Sequence, residues 1–291
     1  MAIAPAPLYW REGAEHYMSN PVITLTTDFG YSGHFVGAMK GVILKILPDA
    51  KVIDITHDVP PFDLREAALT IAGAAPFYAT GTIHVVVVDP GVGTGRRPIL
   101  AEADGQFFIA PDNGVLTLIY EQAKELKVWH VTADHYFLTP VSRTFHGRDI
   151  FSTVAAWLGK TGQAADFGEP ITDFVRLNLP KVERKGDTVT GMILRRDRFG
   201  NLMTDITPDH VKEIVEGNAP FRIWIGDHEI HHLVNTFSEG SPGEAVAIFG
   251  SSGYLELAVH GGDAAEMLSA GPGSKVILGI GPTPKTRDER A

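Results

Sequence analysis

Hydrophobic and polar positions in the first half of the chain follow two alternating periods. Short apolar runs at Val22–Thr26, Lys51–Ile55 and Thr82–Val88 predict β-strands. Between these runs, apolar residues recur at helical spacing from Phe35 to Ile46 and again after Asp63, a residue type that often caps helices. The order strand, helix, strand, helix, strand predicts a mostly parallel sheet that is covered by helices.

The same alternation continues as far as about residue 170. Further strands are predicted at Ile99–Ala101, Gln106–Ile109 and Val128–Val131, and helices at Gly114–Ala123 and Asp149–Leu158. The sequence therefore predicts an N-terminal α/β domain over residues 21–170, with a layered, mostly parallel sheet. The preceding residues 1–20 contain Pro5 and Pro7 and show no apolar period, so we interpret them as an N-terminal extension without assigned chemistry.

Helical patterns nearly disappear in the second half of the chain. Seven short strand candidates are separated by glycine, proline and aspartate: Thr188–Leu194, Leu202–Ile206, Phe221–Ile225, Ile230–Val234, Ala245–Phe249, Tyr254–Ala258 and Lys275–Gly279. This pattern predicts a smaller all-β domain over residues 187–285, built as an antiparallel sandwich or barrel. The stretch 171–186 contains Pro180, several charged residues and isolated apolar residues and is predicted to be a linker.

Composition narrows the classes of function. The 291 residues carry a formal net charge of -10 without a long run of Lys or Arg, which argues against a nucleic-acid partner. The chain has no cysteine, which excludes disulfides, thiolate metal sites and cysteine nucleophiles and fits a reducing compartment. No apolar run approaches the roughly 20 residues that cross a bilayer, and the first 20 residues lack a signal-peptide pattern. We therefore expect a soluble, cytoplasmic protein without membrane contact.

Two candidate polar positions follow predicted strands. Asp28 comes directly after the first strand, and in open α/β sheets ligands bind beyond the carboxyl ends of strands. Asp28 is placed either to bind a ribose diol or to cap a helix that starts near Gly33. The glycine-rich segment Asp89–Arg97 follows the third strand, but no Lys-Ser/Thr pair follows its glycines, which argues against a phosphate loop. Its simpler interpretation is a tight turn with Asp89 and Arg96 as a surface ion pair.

Other polar clusters have equally simple interpretations. The segment His228–His232 matches a zinc-binding pattern, but that chemistry needs a helix, and the surrounding residues predict strand, turn and strand. We therefore predict no metal site there. Asp149 fits a helix cap, and His146 fits either a structural or a functional histidine. Segments Arg196–Asn201 and Gly250–Glu256 have the composition of turns.

Taken together, several short motifs occur in the order seen in one enzyme family. They are Thr27–Gly30, Asp54–His57 with Pro61–Asp63, Asp89–Gly93, Ala110–Gly114, Phe145–Asp149, Phe199–Asn201 and Gly253–Leu255. The chain resembles, over about residues 22–279, the S-adenosylmethionine (SAM) hydrolases, also called SAM hydroxide adenosyltransferases. These enzymes are related to the SAM-dependent fluorinase and chlorinase. The resemblance implies hydrolysis of SAM to adenosine and methionine, with SAM as substrate and no cofactor or metal.

The resemblance also implies roles for individual residues. It places a water-activating trio at Asp89, Arg96 and His146. It places the ribose-binding residues at Asp28 and Phe62, the adenine-binding residues at Phe199 and Asn201, and the residues that hold the methionine end at Asp197 and Ser251. Since an Asp beside an Arg is a weak base, His146 is expected to accept the proton of the water.

The resemblance further implies a homotrimer with active sites between subunits. Two alternatives stay open at this point: a SAM-dependent halogenase, and a catalytically silent SAM- or adenosine-binding module. The halogenases carry an aromatic residue where Asp89 stands and a small polar side chain, in the fluorinase a serine, where Gly147 stands. Ser252 occupies the position of a fluorinase arginine near the methionine carboxylate, so the anchor of this carboxylate is open.

Overall fold

The computed structural model describes residues 21–216 and 221–280. Contacts divide the chain into two compact units, with the division between Leu177 and Asn178. The predicted N-terminal extension, residues 1–20, lies outside the described residues, and so do residues 281–285 of the predicted β domain. Within the described ranges, no helix is long and apolar enough to cross a membrane.

The N-terminal unit is built on a seven-stranded sheet in the order β2-β1-β3-β5-β4-β6-β7. The first four strands in this order are parallel to one another, and β4, β6 and β7 join by antiparallel pairing. The strands are β1 Val22–Thr27, β2 Lys51–Thr56, β3 Ile83–Val87, β4 Pro98–Ala103, β5 Gln106–Pro111, β6 Leu126–Val131 and β7 Gly168–Pro170. This confirms the predicted α/β fold with a mostly parallel sheet.

Helices cover both faces of this sheet. They are α1 Phe35–Ile46, α2 Leu64–Ala74, α3 Thr117–Gln122 and α4 Ser152–Thr161. Val85 and Val87 of β3 join the core beneath α1 and α4, whereas Val86 and the following Val88 join the core beneath α2 and α3. Because alternate side chains of β3 enter two different cores, its sequence is continuously apolar instead of alternating.

Local hydrogen bonds decide where the helices begin. The Asp63 carboxylate accepts the backbone N–H of Glu66 at 2.9 Å, so Asp63 caps α2 as the sequence predicts. The interpretation of Asp28 as a helix cap is wrong, because His34 is the residue that precedes α1. Helix α3 begins only at Thr117, three residues after the predicted start, since Gly114 adopts a φ of 91° and breaks the helical path.

The C-terminal unit is a curled nine-stranded sheet in the order β12-β11-β16-β9-β10-β15-β14-β13, with β8 paired to β9. Its strands are β8 Glu183–Lys185, β9 Thr188–Arg196, β10 Leu202–Thr204, β11 Phe221–Ile225, β12 His228–Ile230, β13 Leu233–Val234, β14 Ala245–Phe249, β15 Leu255–Val259 and β16 Lys275–Ile280. All pairs are antiparallel except β13 with β14. The predicted smaller β domain is thereby confirmed.

Two helices of this unit do not follow from the apolar pattern: α5 Pro208–Glu216 and α6 Ala264–Met267. Helix α5 buries Val211 and Ile214, and the partly buried Val215 packs beside them. Three apolar positions within five residues are too short a signal against a background of short strands. The tertiary core, not the local pattern, stabilises this helix.

The segment His228–His232 is not helical. Strand β12 ends at Ile230, so the zinc-binding pattern lies on a strand and the following turn, as expected from the sequence. Among residues 21–216 and 221–280, no group of three or more metal-ligating side chains is close enough to hold an ion. His232 instead lies 3.3 Å from the carboxylate of Glu244.

Candidate active site

A depression of about 250 Å³ lies at the carboxyl ends of β1 and β3 in the N-terminal unit. Its lining includes Asp28 after β1, Asp89 after β3, Phe62 from the segment after β2, and His146 and Gly147 from the segment before α4. Parallel strands point their carboxyl ends to one edge of the sheet, and ligands of such sheets bind there. The fold thus brings together four segments that are widely separated in sequence.

Asp89, Arg96 and His146 form one hydrogen-bonded trio. The Nε of Arg96 donates to both oxygens of Asp89, at 3.0 and 2.9 Å, and its terminal nitrogen also contacts Asp89. The same terminal nitrogen lies 2.7 Å from Nδ1 of His146. The side chains of Arg96 and Asp89 are only 9% and 5% exposed. The predicted ion pair therefore exists, but the prediction that it lies on the surface is wrong, because other segments cover both side chains, among them Phe151, whose ring lies 5.1 Å from the Arg96 guanidinium.

The contact between Arg96 and His146 fixes the protonation of the imidazole. A guanidinium has only donors, so Nδ1 of His146 must be an acceptor and the ring proton lies on Nε2. Burial of His146, together with the positive charge of Arg96, lowers its pKa below the ordinary value of 6.5. His146 is therefore neutral, and its basic nitrogen is already occupied. This geometry favours a donor role for His146, which differs from the proton-acceptor role expected from the sequence.

We expect the lowered pKa of His146 to appear in the pH dependence of catalysis. A depressed histidine pKa keeps the neutral form populated as the pH falls through 6.5, so activity that needs neutral His146 is lost only below that value. The measurement is kcat between about pH 5 and pH 9, together with an NMR titration of the His146 ring. An acid limb above pH 6.5 that coincides with the His146 titration would contradict this expectation.

Asp149 holds the segment that carries His146. It is completely buried, and its carboxylate accepts the backbone N–H of Ser142 at 2.8 Å and a hydrogen bond from Nε of Arg148 at 2.6 Å. The interpretation of Asp149 as a helix cap is wrong, because the chain forms a π-helical turn over Gly147–Phe151 before α4 begins. Asp149 lies inside this turn, where its charge is neutralised by Arg148.

Asp28 and Phe62 contact each other at the depression. Oδ2 of Asp28 accepts the backbone N–H of Phe62 at 3.0 Å. Phe62 has a φ of 66°, a left-handed conformation that is uncommon for a bulky residue, and its side chain is 66% exposed. Strained backbone of this kind concentrates at ligand sites, where the surrounding contacts hold it in place. Here the hydrogen bond to Asp28 helps to hold Phe62 in its strained conformation.

In the C-terminal unit, three of the predicted residues share one turn between β9 and β10. Oδ1 of Asp197 accepts the backbone N–H groups of Phe199 and Asn201, both at 2.8 Å. Oδ2 of Asp197 accepts a hydrogen bond from the side-chain amide of Asn201 at 2.9 Å. The Phe199 side chain is 79% exposed. Asp197 thus organises the turn and orients Asn201, a role that the sequence pattern did not indicate.

Ser251 lies in a second turn, between β14 and β15, and is exposed. Glu256 of β15 stands close to both turns: burial and the negative charge of Asp197 raise its pKa. The same carboxyl lies beside Gly250, where a Cβ would clash with it. The C-terminal unit therefore brings the turns of Asp197 and Ser251 near one another through Glu256, which was not predicted as a site residue.

An α/β unit with a partly buried carboxylate–guanidinium–imidazole trio at its sheet edge, followed by a mostly β unit, defines a two-domain α/β-plus-β protein with an enzyme-like site. Residues 23–168 match the SAM hydroxide adenosyltransferase N-terminal domain, and residues 191–277 match the C-terminal domain of the same family. The chain belongs to the SAM hydroxide adenosyltransferase family.

Named relatives fall into two groups. The chain is 37% identical over 268 residues to the (R)-S-adenosyl-L-methionine hydrolase of Salinispora tropica, covering 90% of this chain and 98% of that protein. It is 33% identical over 265 residues to the enzyme of the same name from Thermus thermophilus, covering 89% and 99%. A fluorinase from an Actinoplanes species is more distant, at 27% identity over 270 residues, covering 82% and 91%.

A solved structure has the same architecture. The crystal structure of an uncharacterized conserved protein from Thermotoga maritima superposes with a TM-score of 0.83 at 34% sequence identity. The match covers 88% of this chain and 99% of that one. The similarity therefore extends over both units of the fold.

Proposed function

We propose that this protein hydrolyses SAM to adenosine and methionine by attack of water on C5′ of the ribose. The observation that carries the proposal is the partly buried trio of Asp89, Arg96 and His146 at the depression that also contains Asp28. The named hydrolases among the relatives support it, because they are more similar to this chain than the fluorinases are.

The reaction needs a water molecule that is oriented and partly ionised in a dry site. The attacking oxygen bonds to C5′, the bond from C5′ to sulfur breaks, and its electron pair stays on sulfur, so the sulfonium becomes a neutral thioether. Loss of this charge is faster where solvent does not stabilise the cation. One proton is released for each turnover. Since the sulfonium is already an activated leaving group, we propose that neither a metal nor a cofactor takes part.

The trio divides this work according to its hydrogen bonds. Arg96 supplies positive charge that favours ionisation of the water. His146, neutral and protonated on Nε2, donates to the water oxygen and orients it. Asp89 accepts a hydrogen from the water, because each of its oxygens keeps acceptor capacity beyond the bonds from Arg96, whereas Nδ1 of His146 does not.

We propose that Asp28 binds both ribose hydroxyls and that Phe62 packs against the ribose. This assignment is supported by their direct contact in the depression. Carboxylates are suited to a diol, since two oxygens accept two hydroxyl hydrogens. The strained backbone of Phe62 is held at the depression by its N–H bond to the carboxylate.

The turns of the C-terminal unit suit the remaining parts of SAM. The exposed ring of Phe199 offers a face on which adenine stacks. Because the amide nitrogen of Asn201 is held by Asp197, its carbonyl oxygen is the group offered to the exocyclic amine of adenine. Asp197 and Ser251 are proposed to hold the amino-acid end of methionine.

Halogenation is the second function considered, and the packing around Gly147 argues against it. A Cβ at Gly147 would lie 3.3 Å from the ring of Phe145 and 3.4 Å from both Met39 and Phe29. A serine there, as in the fluorinase, requires the Phe145 ring to shift by a few tenths of an ångström and leaves little room for the hydroxyl beside Met39 and Phe29. A silent binding module is disfavoured because enclosing the charged side chains of Asp89 and Arg96 is costly and serves no purpose in binding alone.

The reaction is tested with SAM in isotopically labelled water. We expect adenosine and methionine in equal amounts, with solvent oxygen on C5′ of adenosine. Matched reactions contain added chloride, added fluoride, or a strong chelator, and we expect the same products and yield in each. Formation of a 5′-halo-adenosine without adenosine would favour the halogenase function, and loss of activity with the chelator would contradict the metal-free reaction.

We also propose that the active form is a homotrimer, as the family resemblance implies. The proposed ribose group Asp28 and the adenine group Asn201 belong to different units of the chain. We expect an Asp28→Ala protein and an Asn201→Ala protein to regain activity when they are mixed under conditions of subunit exchange. Subunit exchange is monitored with labelled subunits. The mass of the assembly is measured by light scattering. Exchange without recovered activity would favour a site formed within one chain.

A further inference from the structure

The motif Asp54–His57 has no role in the proposed reaction, yet it forms a partly buried chain of polar contacts that reaches Thr27, the residue before Asp28. Nδ1 of His57 lies 2.7 Å from the hydroxyl of Thr27. Nε2 of His57 lies 3.0 Å from Oδ1 of Asp54, and Oδ2 of Asp54 accepts a hydrogen bond from Lys40 at 2.6 Å. The chain ends at the site, because the Thr27 hydroxyl also accepts the backbone N–H of Phe29 at 3.2 Å.

The hydrogen bonds of this chain run in one direction. Asp54 is an anion: its burial acts to raise the pKa, but the hydrogen bond from Lys40 and the close contact with His57 outweigh burial and hold the pKa below its ordinary value. An anionic Asp54 offers only acceptor atoms, so the ring N–H of His57 belongs on Nε2, which lies 3.0 Å from Oδ1 of Asp54. Nδ1 of His57 then accepts from the Thr27 hydroxyl, whose oxygen accepts the backbone N–H of Phe29. The contact between Nε2 of His57 and Oδ1 of Asp54 is close but lies outside hydrogen-bond geometry, so it is the weakest link of the chain.

The residue types resemble those of a nucleophile triad, but the burial excludes that chemistry. The side chains of Thr27 and His57 are both completely buried. A hydroxyl without access to substrate is not a nucleophile, because attack requires contact with the reacting atom. The chain therefore acts through the backbone that it holds.

The chain of polar contacts holds the backbone of the loop that contains Asp28. Strands β1 and β2 are parallel neighbours, and their register shifts after the pair Leu25 and Asp54, so that Thr26 pairs with Thr56. Such irregularities re-aim side chains near active sites. Beyond the shift, the backbone N–H of Gly30 donates to the carbonyl of His57 at 2.8 Å. Asp28 lies between Thr27 and Phe29, both of which are tied to the chain.

We infer that Asp54 and His57 are positioning residues that fix the Asp28 carboxylate for the two hydroxyls of a ribose diol. The inference rests on the proposed role of Asp28 and assigns the specificity for the diol to a network that does not touch substrate. Preorganised groups bind more strongly because less order is lost on binding. Weakening the network should therefore reduce recognition of the diol more than recognition of the rest of the nucleoside.

The experiment compares inhibition by adenosine with inhibition by 2′,3′-dideoxyadenosine, which lacks the diol. We expect the wild-type protein to bind adenosine about 10- to 100-fold more tightly, the range for hydrogen bonds to a charged group. In Asp54→Asn, and in His57→Gln, we expect this ratio to fall at least about fivefold. The matched control is Asp58→Asn, the same change at an exposed position four residues away. We expect the control to keep the wild-type ratio.

A double variant of Asp54 and Asp28 separates a positioning role from general destabilisation. We expect Asp54→Asn to lower the ratio no further when Asp28 is already Asn, since the network acts through Asp28. Melting temperatures show which variants fold, and Asp54→Asn decides the matter if His57→Gln does not fold. A folded Asp54→Asn protein with the wild-type ratio overturns the inference alone. A wild-type protein that does not prefer the diol overturns the role of Asp28 and the inference with it, while the labelled-water reaction reports on hydrolysis separately.

Discussion

Replacing any member of the trio with alanine is expected to lower kcat by about 10²–10⁴-fold, with SAM affinity staying within a few-fold. Arg96 joins Asp89 to His146, and these two residues line the depression, while the proposed ribose contact is made by Asp28. Groups that act on the water stabilise the transition state and contribute little to ground-state binding. The measurements are single-turnover kinetics for kcat and calorimetry with SAM for affinity.

The losses of kcat in the single variants should not be additive. A protein with both Asp89→Ala and His146→Ala should be little slower than the poorer single variant, because both groups act on one water through Arg96. His135→Ala, at an exposed histidine of the same unit, serves as a control and should keep normal kcat. A His146→Ala enzyme with near-normal kcat and weakened SAM binding would make His146 a binding residue instead.

The Arg96→Ala protein needs its own interpretation, since it leaves the Asp89 carboxylate buried without its partner. A buried unpaired carboxylate destabilises the fold or takes up a proton. We therefore expect Arg96→Ala to lower the melting temperature as well as kcat, and Arg96→Lys to recover stability more than activity. Lysine restores the charge but not the two-sided contact to Asp89 and His146.

Gly93→Ala is expected to have the second largest effect, although Gly93 touches no substrate in the proposed reaction. It adopts a φ of 76°, and a Cβ at this position would clash with the carbonyl oxygen of Arg143. Backbone cannot yield as a flexible side chain does, so the loop between Asp89 and Arg96 must shift. We expect a loss of stability of about 2 kcal/mol or more. We also expect a fall in kcat of about 10²-fold, since small displacements of catalytic groups have effects of this size.

Gly95→Ala is the matched control in the same loop. Within the described ranges, no heavy atom lies within 4 Å of a Cβ at Gly95, and the φ of Gly95 is not positive. We expect this variant to keep its melting temperature and kcat. Equal kcat values for Gly93→Ala and Gly95→Ala would show that the trio tolerates movement of its loop. A normal melting temperature of Gly93→Ala would then show that the loop relaxes around the new Cβ. A lowered melting temperature would show that the loop stays rigid.

The sequence alone determined the fold class through the two hydrophobic periods. The β3 run was recognisable because both faces of that strand are buried, and α1 was recognisable because one side of it packs on the sheet. Local chemistry was also visible where a short-range bond decides it, as in the Asp63 cap of α2. The sequence pattern does not predict helix α5, because its two buried residues are explained only by the core against which they pack.

The ordered motifs determined the family and the candidate residues, and the family is confirmed by the matches over both units. What they could not determine is how each side chain is engaged. Position alone left Asp28 as a helix cap or a ribose ligand, and only the structure shows its bond to Phe62. Position alone also suggested Asp149 as a cap, whereas tertiary contacts bury it in the segment that carries His146.

The protonation of the trio was likewise decided by tertiary structure. From the sequence, the weak basicity expected of an Asp beside an Arg pointed to His146 as the proton acceptor. The fold brings Arg96 to Nδ1 of His146, 50 residues away in sequence, and this contact occupies the basic nitrogen. Residue types and spacing specify which groups are present, because they are local properties of the chain. Donor and acceptor roles depend on distances between segments, and these exist only after the chain has folded.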